Sequence, residues 1–369
     1  MSEPALGPRT ALWVVPVANL AGVARHVLDV AAHGIPGWRV VTLTPPGPLA
    51  EALRARGAAV LTGPFGPDHG LARSRRTLTH AAGALRPALV HTHLSYADLA
   101  LASIPLAPGT VRVSTEHGIA ADDAVYHAHA AQARAMALAH RVRLHRLDAL
   151  IAVSGATLAA VRSKWSPPAR LRTEVIPNGV DRPHPGDETR PVREGLHVVS
   201  VARLAPEKRL DALVAGFAEL AKAEPTARLT LAGDGPLRAD VTAQVRSAGL
   251  ADRVDLPGHV NPEELLSRAH VLAQLSIWEN CSYSLLDALA RGLGIVATRV
   301  GGNPEVVGEA GLVADVAPAT IAAALRRQGL DASARPQLSA RWPTVSDMCD
   351  RLAALYDGTA GPQGRGGER

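Results

Sequence analysis

Two cations and two carboxylates stand out in the second half of the sequence. In the stretch VVSVARLAPEKRLDAL an apolar run ends at Arg203, a short proline-containing loop follows, and Lys208 stands where a helical pattern opens. A forked guanidinium, an ammonium and the free amides of a helix start together suit a pyrophosphate. The plain alternative is a pair of surface cations at a helix start. At residues 232–237, AGDGPL places glycines at the end of an apolar run, where backbone can approach a ligand closely. The stretch LSIWENCSYSLLDALARG then carries Glu279, followed by Asn280, Cys281, Ser282 and Asp287. Read as one helix, Glu279 and Asp287 lie about two turns apart on one face. Carboxylates accept from paired hydroxyls of a sugar, and helix-start amides suit a phosphate. For Asp287 the competing reading is a helix-dipole or salt-bridge residue.

The first half contributes histidines. His91 and His93 alternate on one face of an expected strand end, in the run HTH, and His117 follows in TEHG. Zinc sites need three or four ligands, and no third ligand stands at a suitable spacing, so no metal is expected. No Asp-x-Asp motif for a divalent ion is present either; Asp122 and Asp123 are adjacent in an expected loop.

These residues need a scaffold, and the pattern supplies one. Short apolar runs fall at 12–17, 39–43, 58–61, 89–91, 111–114, 149–153 and 174–176, alternating with helical patterns at 22–32, 48–56, 71–85, 122–147 and 155–163. After the Pro-, Gly- and charge-rich stretch DRPHPGDETRPVREG the alternation restarts. Strands are expected at 197–201, 228–232, 254–256, 271–275, 294–298 and 311–313, with helices near 207–223, 236–247, 261–269, 282–291 and 317–328. Strand–helix alternation predicts parallel sheets covered on both faces. The expected division is a first domain at 1–181, a linker at 182–195, a second domain at 196–343, a helix at 344–356 able to return to the first domain, and a disordered tail at 357–369.

Bulk numbers agree. The 369 residues suit two domains, and 47% hydrophobic content supplies two cores. Aromatics make up only 3%, so Ala, Val and Leu must fill them. The +5 charge is almost all arginine, which reads mainly as a solvated surface in a GC-rich bacterial genome. Nucleic-acid binding lacks the stacking aromatics that would accompany a basic groove. A basic face built from Arg134, Arg141, Arg143, Arg146, Arg73, Arg75 and Arg76 reads first as solvated and second as a peripheral contact with anionic lipid. Cys281 and Cys349 fit neither a zinc spacing nor a disulfide framework, which suits a reducing, cytoplasmic compartment. The apolar stretch 10–24 reads as a strand and turn, not a signal peptide, because Pro16 and Asn19 interrupt it.

Taken in order, the motifs VARL…EK, LAGDGPL, PGHV, an acid pair in the E-x7-E position, and GGNPE resemble the C-terminal domain of the family 4 retaining glycosyltransferases. The earlier segments HTH, TEHG, AVSGAT and IPNGVD fit the same family, so the resemblance spans residues 12–356. It implies the GT-B fold, α/β, with two Rossmann-like domains whose parallel sheets face an interdomain cleft that closes over substrates. It implies a retaining, metal-independent transfer of a hexose-type sugar from a nucleotide diphosphate sugar, with no other cofactor. Arg203 and Lys208 would hold the diphosphate, and Glu279 would accept from hydroxyls of the transferred sugar. Backbone at Asn280, Cys281 and Ser282 would touch sugar and phosphates. His117 would face the sugar, and Gly22 would bring backbone near the donor phosphate. Asp287 stands where the family has a ribose-binding Glu, one methylene shorter, and Ala21-Gly22 replaces the usual glycine pair. The acceptor is left open among cell-envelope precursors, small thiol or inositol conjugates and natural products, small-molecule or lipid-linked. The rival readings are a non-catalytic nucleotide-sugar sensor and a GT-B phosphorylase or epimerase.

Overall fold

The computed structural model describes residues 8–119, 130–183 and 195–361. The chain forms two compact units: unit 1 is Met1–Gly179 with Pro343–Arg369, and unit 2 is Val180–Trp342. Residues 184–194, most of the stretch read as a linker, lie outside the described residues.

Unit 1 begins with β1 (Arg9–Val14), α1 (Gly22–His33), β2 (Trp38–Thr44), α2 (Pro48–Ala55) and β3 (Ala59–Thr62). It continues with α3 (Leu71–Leu85), β4 (Leu89–His93), α4 (Ser95–Ala102), β5 (Val111–Glu116) and α5 (Ala130–Leu144). β6 (Ala149–Ala152), α6 (Gly155–Trp165) and β7 (Arg172–Val175) complete its first segment. Among the described residues its seven strands are parallel, in the order β3-β2-β1-β4-β5-β6-β7. β1 shows why the sheet is covered twice. Ala11, Trp13 and Val15 enter one core, while Leu12 and Val14 enter the core on the opposite face. Period-2 side-chain alternation forces that split, so a strand apolar on both faces needs layers on both sides.

Unit 2 repeats the plan. Its strands are β8 (His197–Val201), β9 (Arg228–Ala232), β10 (Val254–Gly258), β11 (Val271–Gln274), β12 (Gly294–Thr298) and β13 (Leu312–Val313). Its helices are α7 (Leu210–Ala223), α8 (Arg238–Ser247), α9 (Pro262–Leu266), α10 (Tyr283–Ala290), α11 (Asn303–Val307) and α12 (Pro318–Leu330). The order is β10-β9-β8-β11-β12-β13, parallel throughout. In both units the chain moves outward one way from the first strand and then returns to add its fourth strand on the other side. That reversal is where α/β sheets collect ligands, at the carboxyl ends of the strands.

The last helix, α13 (Val345–Ala360), belongs to unit 1. Thr344 and Asp347 cap it reciprocally: Thr344 Oγ1 accepts from the Asp347 amide at 3.1 Å, and Asp347 Oδ2 accepts from the Thr344 amide at 2.9 Å. Met348, Cys349, Leu352, Leu355 and Tyr356 lie in the core that holds Trp13. The expected disordered tail is corrected at its start. Residues 357–360 continue the helix, and Asp357 pairs with Arg9 and accepts from Trp38 Nε1 at 3.1 Å. Residues 362–369 lie outside the described residues.

Two helices escaped the pattern. α4 follows Leu94 at φ 70° with no side-chain cap, and its buried residues Ala97, Asp98, Ala100 and Leu101 make no clean apolar stripe. α11 is only five residues and hides in the GGNPE run read as loop. Of the helix expected at 122–147, the described part is α5; residues 120–129 lie outside the described residues. Among the described residues, no helix is long and apolar enough to cross a membrane.

Candidate functional site

In unit 2 the candidate donor residues hang from the carboxyl ends of β8 and β11, the two strands at the reversal. Lys208 does not open an α-helix: Pro206–Lys208 is a single 3-10 turn, and α7 starts at Leu210. Arg209 at φ 46° makes the join. The loop is fixed from both sides. The Leu204 amide donates to Asp234 O at 2.9 Å, and the Ile277 amide donates to Glu207 O at 2.8 Å. The β8, β9 and β11 loops therefore form one block. Gly233 is needed for this, because at φ 127° an added Cβ would fall 2.0 Å from the Ala202 carbonyl oxygen. Gly301 is needed likewise, since a Cβ there would fall 1.7 Å from the Glu279 carbonyl oxygen.

Glu279 sits in the loop before α10, which begins at Tyr283 with Ser282 as its cap. The expectation that Glu279 and Asp287 share a helical face is thus corrected. Only Asp287 is helical; Glu279 is set by its own loop. Its carboxylate forms an ion pair with Lys208 and accepts from Ser276 Oγ at 2.9 Å. The family resemblance implies separate roles for Lys208 and Glu279, and the fold joins the two side chains. Both are mostly buried, 19% and 13% exposed, so the pair is screened less than a surface one. Arg203 differs: 64% exposed, it pairs with Glu207 at 2.6 Å, so its guanidinium is accessible to an anion. Asn280, Cys281 and Asp287 are buried around the same loop and helix. A depression of about 450 Å³ elsewhere on unit 2, lined by His197, Thr230, Asp255 and Arg268, includes none of these residues.

Unit 1 presents a different set at its own reversal. His91 and His93 are buried at the end of β4, and His117 lies just past β5, partly open. Gly22 is the first residue of α1, where an added Cβ would meet nothing within 4 Å. Trp13 Nε1 donates to Tyr356 Oη at 2.9 Å, and Tyr356 Oη meets His91 Nδ1 at 2.5 Å. The indole can only donate, which leaves the Tyr356 hydroxyl proton free to be given to His91 Nδ1. His91 Nε2 meets Thr115 Oγ1 at 2.7 Å, and in that tautomer it is the donor. His93 Nδ1 faces His117 Nε2 at 2.9 Å. Burial pushes His91, His93 and His117 well below the usual histidine range, with the neighbouring imidazoles adding to the effect. His26 is pushed down to about 4 by burial, which the Asn178 side chain opposes only in part. At neutral pH this corner is uncharged.

Behind His117 lies a buried charge network. Arg143, on α5, pairs with Asp98 on α4 and donates to Glu116 at 2.6 Å. Asp98 also accepts from Ser114 Oγ at 2.8 Å and from Thr92 Oγ1. Burial raises the Glu116 pKa, against the pull of Arg143. Arg143 is fully buried, which removes it from the basic surface face proposed from sequence. The side chain of Arg134 lies outside the described residues.

Three groups were missed in the sequence. His26 stands on α1, Tyr356 comes from the C-terminal helix, and the Arg143–Asp98–Glu116 network joins three elements. A histidine within an amphipathic helix gives no local signal. The buried Asp98 did carry one, a charge within the otherwise apolar run YADLALA.

Known proteins share this architecture. HepE from Anabaena, solved in complex with UDP-glucose, superposes with a TM-score of 0.74 over 95% of both chains at 18% identity. The fold is therefore of the GT-B class, two Rossmann-like units of α/β type. The family model "Glycosyltransferase Family 4" matches residues 20–182, and "Glycosyl transferases group 1" matches residues 195–328. The chain belongs to these glycosyltransferases. The gpi3 subunit of phosphatidylinositol N-acetylglucosaminyltransferase from Schizosaccharomyces pombe is 31% identical over 37% of this chain. The 2-deoxystreptamine glucosyltransferase of Streptomyces kanamyceticus is 36% identical over 32% of this chain. The match spans 31% of the length of each of these two relatives.

Proposed function

We propose that the protein moves a hexose-type sugar from a nucleotide diphosphate sugar to a hydroxyl or thiol acceptor, with retention and without a metal at the diphosphate. The observation that carries this reading is the block of β8 and β11 loops, which sets Lys208, Glu279 and the accessible Arg203 together at the sheet reversal of unit 2. In the reaction the bond from the sugar's anomeric carbon to phosphate oxygen breaks, and its electron pair leaves with the nucleotide diphosphate. Arg203 and Lys208 stabilise that charge, which takes the place of a divalent ion. A bond from the anomeric carbon to the acceptor forms, and the acceptor proton passes to a phosphate oxygen of the leaving group. Positive charge develops on the sugar as in glycoside hydrolysis. Glu279 accepts from sugar hydroxyls, with Ser276 holding one of its oxygens. Backbone at Asn280–Ser282 contacts sugar and phosphate, Asp287 takes the ribose, Gly22 leaves room near the donor phosphate, and neutral His117 faces the sugar.

UDP-sugars are the first donors to test, because a structural neighbour binds UDP-glucose. Phosphatidylinositol and 2-deoxystreptamine head the acceptor panel, a lipid-linked and a free small molecule drawn from the relatives' names. The test is thermal stabilisation by UDP, GDP and their sugars, followed by release of free nucleotide diphosphate when acceptor is added. A ligand at a hundred times its dissociation constant adds roughly 2.7 kcal/mol. Lys208→Ala should abolish that shift and lower transfer by about 10²–10³-fold. Glu279→Gln should keep the shift with nucleotide alone and lose discrimination among sugars. An unchanged shift in the Arg203→Ala/Lys208→Ala double variant overturns the phosphate assignment, and donor binding without turnover favours a sensor.

A further inference from the structure

His26, His93 and His117 come from α1, the end of β4 and the loop after β5. Each offers one ring nitrogen, and the three nitrogens lie within 4.8 Å of one another. The rings crowd one point, with centroids 5.6 Å apart for His26 and His93, 5.0 Å for His26 and His117, and 5.2 Å for His93 and His117.

Hydrogen bonding does not account for this convergence. His93 Nδ1 and His117 Nε2 meet each other and the Asn178 side chain approaches His26, but no hydrogen bond of ordinary geometry satisfies either nitrogen of His26 or Nε2 of His93. A buried polar atom left unmatched is destabilising, so the arrangement calls for a partner. His91, in the same corner, shows the ordinary solution: both of its nitrogens are satisfied, by Tyr356 and Thr115. The other three rings instead bring ring nitrogens to one space, where an electron-pair acceptor would satisfy them once the proton shared by His93 and His117 is displaced.

We infer that His26, His93 and His117 form a binding site for a borderline-soft divalent cation such as Zn2+, with a fourth position open to water or another ligand. Imidazole suits zinc, copper and nickel, and three histidines with one open position is an established zinc arrangement. Magnesium and calcium take oxygen ligands, and this set offers none. Glu116, the nearest carboxylate in sequence, is engaged by Arg143. The inference stands apart from the transfer reading, which gives the diphosphate to Arg203 and Lys208 and gives this cation no part. A bound cation would, however, take the His117 lone pair away from a sugar.

The test uses the full chain stripped with chelator and no sugar donor, so its result is independent of transfer. Calorimetric titration with ZnCl2 should show one ion per chain, and CoCl2 should produce the visible absorption of a four-coordinate ion. His26→Ala removes a ligand without touching any residue assigned to transfer and should weaken Zn2+ binding by roughly 100-fold or more. His26→Gln, which keeps most of the side-chain volume, should do the same with an unchanged far-UV circular dichroism spectrum. No stoichiometric binding to the wild-type chain overturns the inference. So does binding that survives in both His26 variants, or Mg2+ binding as tight as Zn2+.

Discussion

The carboxyl ends of β1 and β4 in unit 1 and of β8 and β11 in unit 2 occupy the same place in the same strand order, yet they carry opposite chemistry. Unit 1 places Trp13 and a cluster of neutral imidazoles there and keeps its charges behind them, buried and mutually paired. Unit 2 places charges at the front: Lys208 paired with Glu279, and Arg203 with its guanidinium in solvent. An anion can be met by the exposed Arg203 at little desolvation cost. The first suits a neutral group or an electron-pair acceptor. Topology thus fixes where a site falls, and the loop residues fix what it binds.

Substitutions can break this contrast. The largest effect on stability is expected from Arg143→Met, which leaves Asp98 and Glu116 buried without their cation. Removing one partner of a buried pair costs about 3–5 kcal/mol, so urea unfolding of unit 1 should shift markedly. Next comes pH, with chelator present. His26 is held near 4 in the fold and has its ordinary value of 6.5 when unfolded. Below 6.5 the unfolded chain therefore binds the extra proton, and stability falls as pH drops towards 4. His26 alone should contribute about 3 kcal/mol of that loss, with His91, His93 and His117 acting in the same direction. Amide exchange should show unit 1 loosening ahead of unit 2 in this window; equal loosening would erase the contrast. Tyr356→Phe removes the acceptor of Trp13 and the hydrogen-bond partner of His91, with an expected cost of about 1–3 kcal/mol. The smallest effect is that of Arg203→Ala, whose exposed pair with Glu207 should cost under about 1 kcal/mol in thermal unfolding. That variant should still lose affinity for nucleotide diphosphates, which would separate Arg203's role in binding from any role in folding.

Particular residues show how far the sequence could be read. Arg203, Lys208 and Glu279 were legible because each follows a short apolar strand and stands in a recognisable loop. Their pairing was not, because it depends on β8 and β11 being neighbours, and they are separated by some seventy residues. The spacing of Glu279 and Asp287 alone allows one helix to carry both. Ser282 caps the helix after Glu279 and so leaves the glutamate in a loop. Residues 357–360 looked like tail, since their composition is small and polar. Asp357 is ordered by Arg9 and Trp38, which lie more than three hundred residues earlier in the chain.

By itself the sequence determined the alternation of strands and helices, the two-unit plan and the charged loops of unit 2, because period and turn chemistry are local. Only the tertiary structure decided that Arg143 is a core residue, that Tyr356 bridges Trp13 and His91, and that His26 meets His93 and His117. Those contacts arise when a parallel sheet brings strands from distant parts of the chain to one edge, and no spacing along the chain encodes which side chains will then face each other.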